Sequence, residues 1–408
     1  MTRTVRAVDA GEPRDVFEAL RDALAGSGPA VVPREAAESL NGQEATNKQN
    51  QQAEPDTVPQ NVALVIETSG STGVPKRVAL SADALLASAA ASAGAMGGQG
   101  QWLLALPAHY VAGAQVLVRS LAAETEPLYY GPGHFDAVRF ATLAAALTHD
   151  LRYTSLVPVQ LARLVEAVEE GATDVAGALR QFDGILVGGQ ALTSQLRERA
   201  ERAGARILST YGSSETAGGC VYDGVPIGTT TVREVGGLLE IGGPTLAEGY
   251  LGDEGRTRAT FHEADGHRWY RTGDLGRVDD GRVTVFGRAD NVIISGGEKV
   301  LLDSVELTVR SIPGLDAAIV VASDDDEWGQ VPVVVVAADA RRWAGPDALR
   351  KVRSTVAERV GRAAAPARIV AVDQLPLLSS GKPDRRAAAL IVADTDADTA
   401  AATSANEA

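Results

Sequence analysis

The sequence predicts an α/β protein. A large N-terminal domain with parallel sheets and a β-rich subdomain is followed by a small α+β C-terminal domain. Three observations predict it. From about residue 60 to 210, short apolar runs alternate with amphipathic stretches, the pattern of a parallel sheet covered on both faces. Between residues 220 and 286 the pattern changes to short β runs separated by turns such as Asp280-Gly281, which suits an antiparallel or barrel-like unit. After Arg288 a shorter mixture of strands and helices begins. The expected domains are therefore 1–289 and 290–393, with 394–408, rich in Ala, Asp and Thr, as a tail expected to be disordered.

In chain order, polar residues 40–60 lack periodicity and read as a long loop after a short N-terminal segment. The apolar run 62–66 reads as a strand. Ser81 supplies an N-cap with Asp83 in the first turn of a helix over 85–95. Strands follow at 102–106, 153–157, 185–187 and 206–209, and helices at 114–123, 135–147 and 196–203. In the small domain, strands are expected at 292–294, 317–321, 331–337 and 369–372, with helices near 303–310 and 347–360.

Apolar residues make up 45% of the 408, ordinary for a globular core, but aromatics only 4%, so that core must be largely Ala, Val and Leu. A net charge of −15 argues against nucleic acid or an anionic membrane as partner. A polyanionic ligand would need local positive charge, which singles out lysines in Gly-rich loops. No apolar run approaches the roughly 18 residues of a membrane span. The N-terminus lacks a secretory pattern. The single cysteine, Cys220, excludes an internal disulfide and a multi-Cys zinc site. A cytoplasmic enzyme is the expectation.

Five segments carry chemistry. Glu67-Thr68-Ser69-Gly70-Ser71-Thr72-Gly73-Val74-Pro75-Lys76 follows an apolar run. Its glycines let backbone N–H groups curl around an anion, its hydroxyls add donors and its lysine adds charge, so it reads as a phosphate cradle. It lacks the Gly-Lys-Ser/Thr of a Walker loop. Tyr211-Gly212-Ser213-Ser214-Glu215 closes a strand, where open α/β sheets place ligands. A hydroxyl followed by a carboxylate there could bind a phosphate oxygen and its Mg²⁺; an ordinary turn explains it equally well. Tyr270-Arg271-Thr272-Gly273-Asp274 offers a carboxylate able to accept both hydroxyls of a ribose, although an isolated Thr-Gly-Asp is more often a tight turn. Gly287-Arg288-Ala289-Asp290 falls at the boundary between the two parts. Asp290 suits a hinge and Arg288 could reach a nucleotide; a surface charge pair is the plainer reading. The fifth, Ser379-Ser380-Gly381-Lys382-Pro383-Asp384-Arg385, would by itself be an exposed loop.

In this order, over residues 67–385, the five segments resemble the motifs of the acyl-adenylate-forming (acyl-CoA synthetase) superfamily. The resemblance implies that Thr68 to Gly73 and Lys76 hold the ATP phosphates. It puts Ser214, which replaces the usual threonine, on the α-phosphate, and Glu215 on Mg²⁺. Tyr211 would stack on adenine beside Gly188, Gly189 and Gln190, a segment that also reads as a simple strand-to-helix turn. Asp274 would hold the ribose, Arg288 would reach the ribose or a phosphate, Asp290 would form the hinge of a mobile small domain, and Lys382 would serve the adenylation step. The reaction implied has two halves: a carboxylate attacks the α-phosphorus of ATP, then the small domain turns and coenzyme A displaces AMP. Gly296 and Gly297, in Ser295-Gly296-Gly297-Glu298, would leave room for the pantetheine arm.

Within the superfamily, the short N-terminal part, residues 293–298 and residues 214–226 resemble the compact actinobacterial 2-succinylbenzoate–CoA ligases of menaquinone biosynthesis. The acid implied has a second carboxylate, which must meet hydrogen-bond donors because burying it unpaired costs several kcal/mol. Ser155, Thr216 and the backbone near Gly218 are candidates; His109 sits in a Pro-x-x-His-x-x-Gly segment similar to one beside the family's acyl site, where it could gate the coenzyme A tunnel or line the acid pocket, a partly buried structural histidine being the plainer reading. The partners implied are small molecules: the acid, ATP and coenzyme A. Alternatives are another aryl or acyl acid–CoA ligase, or an adenylating enzyme that loads a carrier protein. A non-catalytic nucleotide-binding regulator should have lost Lys382 or Glu215, and neither is lost.

Overall fold

The computed structural model describes residues 1–35, 57–68, 75–338, 343, 345–378 and 382–406. The chain begins with β1 (Thr2–Asp9), α1 (Pro13–Leu24), β2 (Ala30–Arg34), β3 (Thr57–Pro59), β4 (Val62–Thr68) and β5 (Lys76–Ser81). In this sheet β2 runs parallel to β1 and β4, whereas β3 and β5 are antiparallel to their neighbours. The N-terminal segment is thus no appendage. Val16, Phe17, Leu20 and Ala23 of α1 are fully buried or nearly so. Arg3 of β1 is also buried, its guanidinium donating to the carbonyls of Ala23 (3.0 Å) and Val62 (3.3 Å). An interior arginine hides this strand from any apolar-pattern reading. The sequence pattern leads from the phosphate loop straight into a helix, whereas the structure inserts β5 between them. Antiparallel pairing of β4 with β5 makes the loop a hairpin connection, with Thr68 opposite Lys76.

The second sheet follows α2 (Ala82–Met96). It is built from β6 (Gln101–Leu104), α3 (Val111–Ala122), β7 (Leu128–Tyr129), α4 (Ala137–Ala144), β8 (Arg152–Leu156), α5 (Pro158–Glu169), α6 (Thr173–Gln181), β9 (Gly184–Val187), α7 (Ser194–Arg202), β10 (Ile207–Ser213), β11 (Gly218–Tyr222) and β12 (Val225–Pro226). Its order is β12-β11-β10-β9-β8-β6-β7, parallel from β7 to β10 and antiparallel beyond. Ser81 caps α2 as expected, its hydroxyl accepting from the amide of Ala84 at 3.3 Å. Because β8, β9 and β10 are parallel, their C-terminal ends lie side by side, which gathers the residues just after Leu156, Val187 and Thr210 along one edge.

The third sheet comprises β13 (Thr231–Val235), β14 (Leu238–Gly242), β16 (Phe261–Ala264), β17 (His267–Asp279) and β18 (Arg282–Arg288), all antiparallel, as the turn-rich pattern predicts. Between β14 and β16 come β15 (Gly249–Tyr250) and α8 (Glu254–Thr260); β15 pairs with β5 and so ties this region to the first sheet. The small part contains β19 (Val292–Ser295), β20 (Glu298–Leu301), α9 (Leu302–Arg310), β21 (Ile319–Asp325), β22 (Gly329–Ala337), α10 (Pro346–Arg359), β23 (Arg368–Val372) and α11 (Arg385–Asn406). Its apolar clusters draw only on residues between Ile293 and Val392, so it has a core of its own. The segment after 393, expected as a disordered tail, instead continues α11 to Asn406. High helix propensity of its alanines and the burial of Ala388 and Val392 in the preceding turns account for that.

Candidate active site

Lys76 opens β5, and its ammonium lies 5.8 Å from the ring centroid of Tyr250 on the adjacent β15. The Tyr250 hydroxyl in turn donates to Glu215 Oε1 at 2.8 Å. Tyr250 therefore joins the expected phosphate lysine to the expected metal carboxylate. No sequence signal marks this link, because Tyr250 stands on a two-residue strand without a motif. Burial and the Glu215 charge push its phenol well above the ordinary range, so it remains a donor. At the mouth of the loop, Glu67 is gripped by Arg34 through two hydrogen bonds of 2.7 and 2.9 Å. Ser69, Gly70, Ser71, Thr72 and Gly73 lie outside the described residues.

Beyond β10 the chain makes a single 3₁₀ turn, Ser214–Thr216, and Ala217 takes left-handed backbone (φ +50°) before β11 begins. Ser214 and Glu215 are buried by this turn, at 8% and 6% exposure. Thr216 behaves differently from expectation. It is fully buried, and its hydroxyl accepts from the Ser213 amide (2.9 Å) while donating to the Gly218 carbonyl (2.8 Å). Those bonds make Thr216 a brace for the turn and leave it no hydroxyl proton for a substrate carboxylate. Gly212 is required by close approach, since a Cβ there would come within 2.2 Å of the Gly218 oxygen. Gly218 itself has φ +97° and lies against Gln115. Ser155, 5% exposed, is on β8, where strand alternation turns it to the opposite face from Thr154, which donates to the Leu103 carbonyl.

The carboxylate expected to hold the ribose has a defined setting. Asp274 Oδ2 accepts from the Tyr211 hydroxyl at 2.6 Å, and Arg288 Nη1 stands 3.4 Å from Oδ1. Burial raises the Asp274 pKa, opposed by Tyr211 and Arg288. Tyr211, expected to stack on adenine, is thus also bonded to Asp274, the carboxylate expected at the ribose. Arg288 further donates to both Asp290 oxygens (3.1 Å each) and to the Thr272 carbonyl (2.8 Å). The Arg288 hydrogen bond holds the Asp290 carboxyl below its usual range, with Lys76 a smaller contributor.

Lys382 comes from the small part to the turn after β9. A Cβ on Gly189, which has φ +83°, would stand 3.0 Å from Lys382 Cε and 3.8 Å from Nζ. Glycine suits both the backbone conformation and the close pass of the lysine. Part of the Lys382 surface stays open to solvent, yet the protein packed around it desolvates the ammonium and lowers its pKa. Gly188 is equally constrained, because a Cβ would meet Thr210 Oγ1 at 2.4 Å. Gln190 Oε1 accepts from Arg310 Nη1 of α9 at 2.8 Å, so this turn touches the small part twice.

Two expected groups lie elsewhere. Gly296 and Gly297 form the turn of the β19–β20 hairpin with φ +56° and +85°, both positive as a two-residue hairpin turn of this kind demands. A Cβ on Gly296 would strike the Trp328 ring at 2.6 Å, whereas one on Gly297 would meet nothing within 4 Å. His109 Nε2 is 3.6 Å from Glu35 Oε1, and its buried Nδ1 has no hydrogen-bond partner among the described residues. Burial, which favours the neutral ring, lowers its pKa against the opposing pull of the Glu35 charge.

No group of three or more His, Cys, Asp or Glu among the described residues could hold a metal ion by itself. A lone Glu215 carboxylate with Oε1 engaged by Tyr250 fits Mg²⁺, which takes one or two carboxylates and completes its shell with phosphate oxygens and water.

Residues 10–245 match the family model described as AMP-binding enzyme, and residues 304–382 match the AMP-binding enzyme C-terminal domain. The chain is 38% identical over 380 residues to a probable 2-succinylbenzoate–CoA ligase of Mycobacterium tuberculosis, covering 91% of this chain and 94% of that one. It is 32% identical to the 2-succinylbenzoate–CoA ligase of Salmonella typhimurium over 68% of this chain and 58% of the relative. The fold is similar to that of the o-succinylbenzoate CoA synthetase (MenE) of Bacillus subtilis in complex with the acyl-adenylate intermediate OSB-AMP. The TM-score is 0.68, with 24% identity over 91% of this chain and 80% of that chain. With both family regions matched and a 38%-identical relative covering 91% of its length, this chain belongs to the AMP-binding enzyme family.

Proposed function

We propose that the protein is an AMP-forming 2-succinylbenzoate–CoA ligase of menaquinone biosynthesis. The observation that carries the two-step chemistry is the placement of Lys382 against Gly189 at the edge where β8, β9 and β10 end. In the first step a carboxylate oxygen of the acid bonds to the α-phosphorus, the bond to the bridging oxygen breaks, and pyrophosphate leaves with that electron pair. Lys382 and Lys76 offset the negative charge that spreads over the phosphate oxygens. Ser214 donates to the α-phosphate, while Asp274, held by Tyr211 and Arg288, orients the ribose. Glu215, kept in one orientation by Tyr250, would hold Mg²⁺, whose charge neutralises the phosphates.

In the second step the small domain, residues 290–393, turns about Asp290 and withdraws Lys382. The Gly296-Gly297 hairpin then faces the site, the coenzyme A sulfur bonds to the acyl carbon as its thiol proton leaves, and AMP departs. Ser155, the backbone at Gly218 and His109 are the donors proposed for the second carboxylate. ATP and coenzyme A as substrates support a cytoplasmic location. The test is pyrophosphate release with a panel of aromatic and aliphatic acids, with and without coenzyme A. 2-Succinylbenzoate should be preferred and should yield its thioester with free coenzyme A. A thioester formed only on a phosphopantetheinyl protein would replace this reading with the carrier-loading one.

A further inference from the structure

We propose that Arg310 is a positioning residue: it latches the small domain onto Gln190 in the adenylate-forming orientation, and its release precedes thioester formation. The proposal rests on the two-step reading above. Arg310 ends α9 and is only 7% exposed. Two of its donors serve its own domain, Nε to the Ala318 carbonyl at 2.8 Å and Nη2 to Glu306 Oε1 at 3.0 Å. The third, Nη1, crosses to Gln190 Oε1 at 2.8 Å.

Glu306 is itself buried and also accepts from the Val320 amide (2.9 Å) and from Arg385. Arg385 opens α11, three positions after Lys382. Its Nη2 reaches Asp303 at 3.3 Å, and Asp303 accepts the backbone N–H of Arg288 at 3.0 Å. One charged path therefore runs from the turn that faces Lys382, behind the lysine's own loop, to the arginine of the ribose site.

This arrangement has the properties of a latch. Glu306 keeps Arg385 and the Val320 amide when Arg310 is set aside, so the link to Gln190 is not what holds the small domain together. Arg310 is already oriented inside its domain, so docking adds its contact to Gln190 without ordering a free side chain. That contact pairs a cation with a neutral amide, worth about tenfold in an equilibrium, which is weak enough to break once per turnover. The orientation that satisfies it is also the one that lays Lys382 across Gly189. Gly189 and Gln190 are adjacent on one side, and Arg385 fixes the loop behind Lys382 on the other.

The test compares Arg310→Gln with Gln190→Glu in the full-length chain. Adenylate formation is read as single-turnover pyrophosphate release, and thioester formation as product from supplied acyl-adenylate and coenzyme A, with the ATP KM measured separately. Arg310→Gln weakens the latch, so the ratio of thioester rate to adenylation rate should rise about tenfold. Gln190→Glu keeps the shape but gives Arg310 a charged acceptor, so the same ratio should fall by a similar factor. Movement of the ratio in the same direction for both variants, or no movement for Gln190→Glu, overturns the latch. Should Arg310→Gln fail to fold, Gln190→Glu decides alone. The acid used is whichever one the wild type adenylates, so a different acid preference does not bear on the result. A wild type that forms no adenylate with any acid overturns the two-step reading and the latch with it.

Discussion

Lys382 packs against Gly189 in the turn after β9, the orientation proposed as docked, where desolvation by the surrounding protein lowers its pKa. Removing its charge should slow adenylation: Lys382→Ala is expected to lose about 10²-fold or more, the scale of one aimed charge-stabilising donor, while attack of coenzyme A on supplied adenylate persists. Equal loss in both half-reactions would show that the lysine is not specific to adenylation. The lowered pKa also sets a pH window. Between the lowered value and the ordinary lysine value of 10.5, the docked state binds fewer protons than the undocked one. Docking of the empty enzyme is therefore favoured as pH rises into that window and penalised as pH falls below it. The proposed reaction uses the charged form, so kcat/KM for ATP, which reports the free enzyme, should fall on the alkaline side earlier than for a solvated lysine. Lys382→Arg should remove that limb from the kcat/KM profile, because guanidinium stays charged. At Glu215, the carboxylate proposed for Mg²⁺, Glu215→Gln keeps shape but removes charge, so the Mg²⁺ concentration needed for half-maximal rate should rise; an unchanged titration would take Glu215 out of the metal site.

The β19–β20 hairpin shows how a motif can have a structural reason independent of its expected role. Both glycines are needed for the turn, but they differ in surroundings. Gly297→Ala meets open space and should cost about 1 kcal/mol, the penalty for a side chain in left-handed backbone. Gly296→Ala adds a collision with the Trp328 ring and should destabilise the small domain more. Thermal unfolding of the two variants checks the ranking, and equal losses would remove the Trp328 contact from the account. Thr216 teaches the converse lesson: a hydroxyl in a promising position is taken up by its own turn.

At the scale of the molecule, the separate core of the small part makes rotation as a unit physically reasonable, and Asp290 stands between the cores in a short 3₁₀ turn. A proline there fixes φ near roughly −65° and removes one soft torsion. Asp290→Pro should still release pyrophosphate in the first turnover yet make little thioester, since rotation matters only after the adenylate exists. Asp290→Asn, which loses the charge facing Arg288 but keeps the torsion, separates the two effects. Normal thioester turnover by the proline variant would sink the rotating-domain account.

What is legible in the residues alone is a set of candidate groups and the change of pattern along the chain. Glu215, Asp274, Arg288 and Lys382 are nominated by the resemblance of their short segments to the family's motifs; taken alone, those segments read as turns, an exposed loop or a surface charge pair. The alternation of runs and the turn-rich stretch likewise report local periodicity, which is why most strands and helices are foreseeable. Tertiary structure alone decided which groups meet. Tyr250 finds Glu215 across 35 residues, Arg385 finds Glu306 across 79, and Arg310 finds Gln190 across 120. It also decided that β1, with its interior arginine, belongs to the core, and that Thr216 bonds to its own backbone. The physical reason is common to all of these: a local pattern constrains backbone torsions and available functional groups, whereas a partner distant in sequence is selected only when sheets and domains pack.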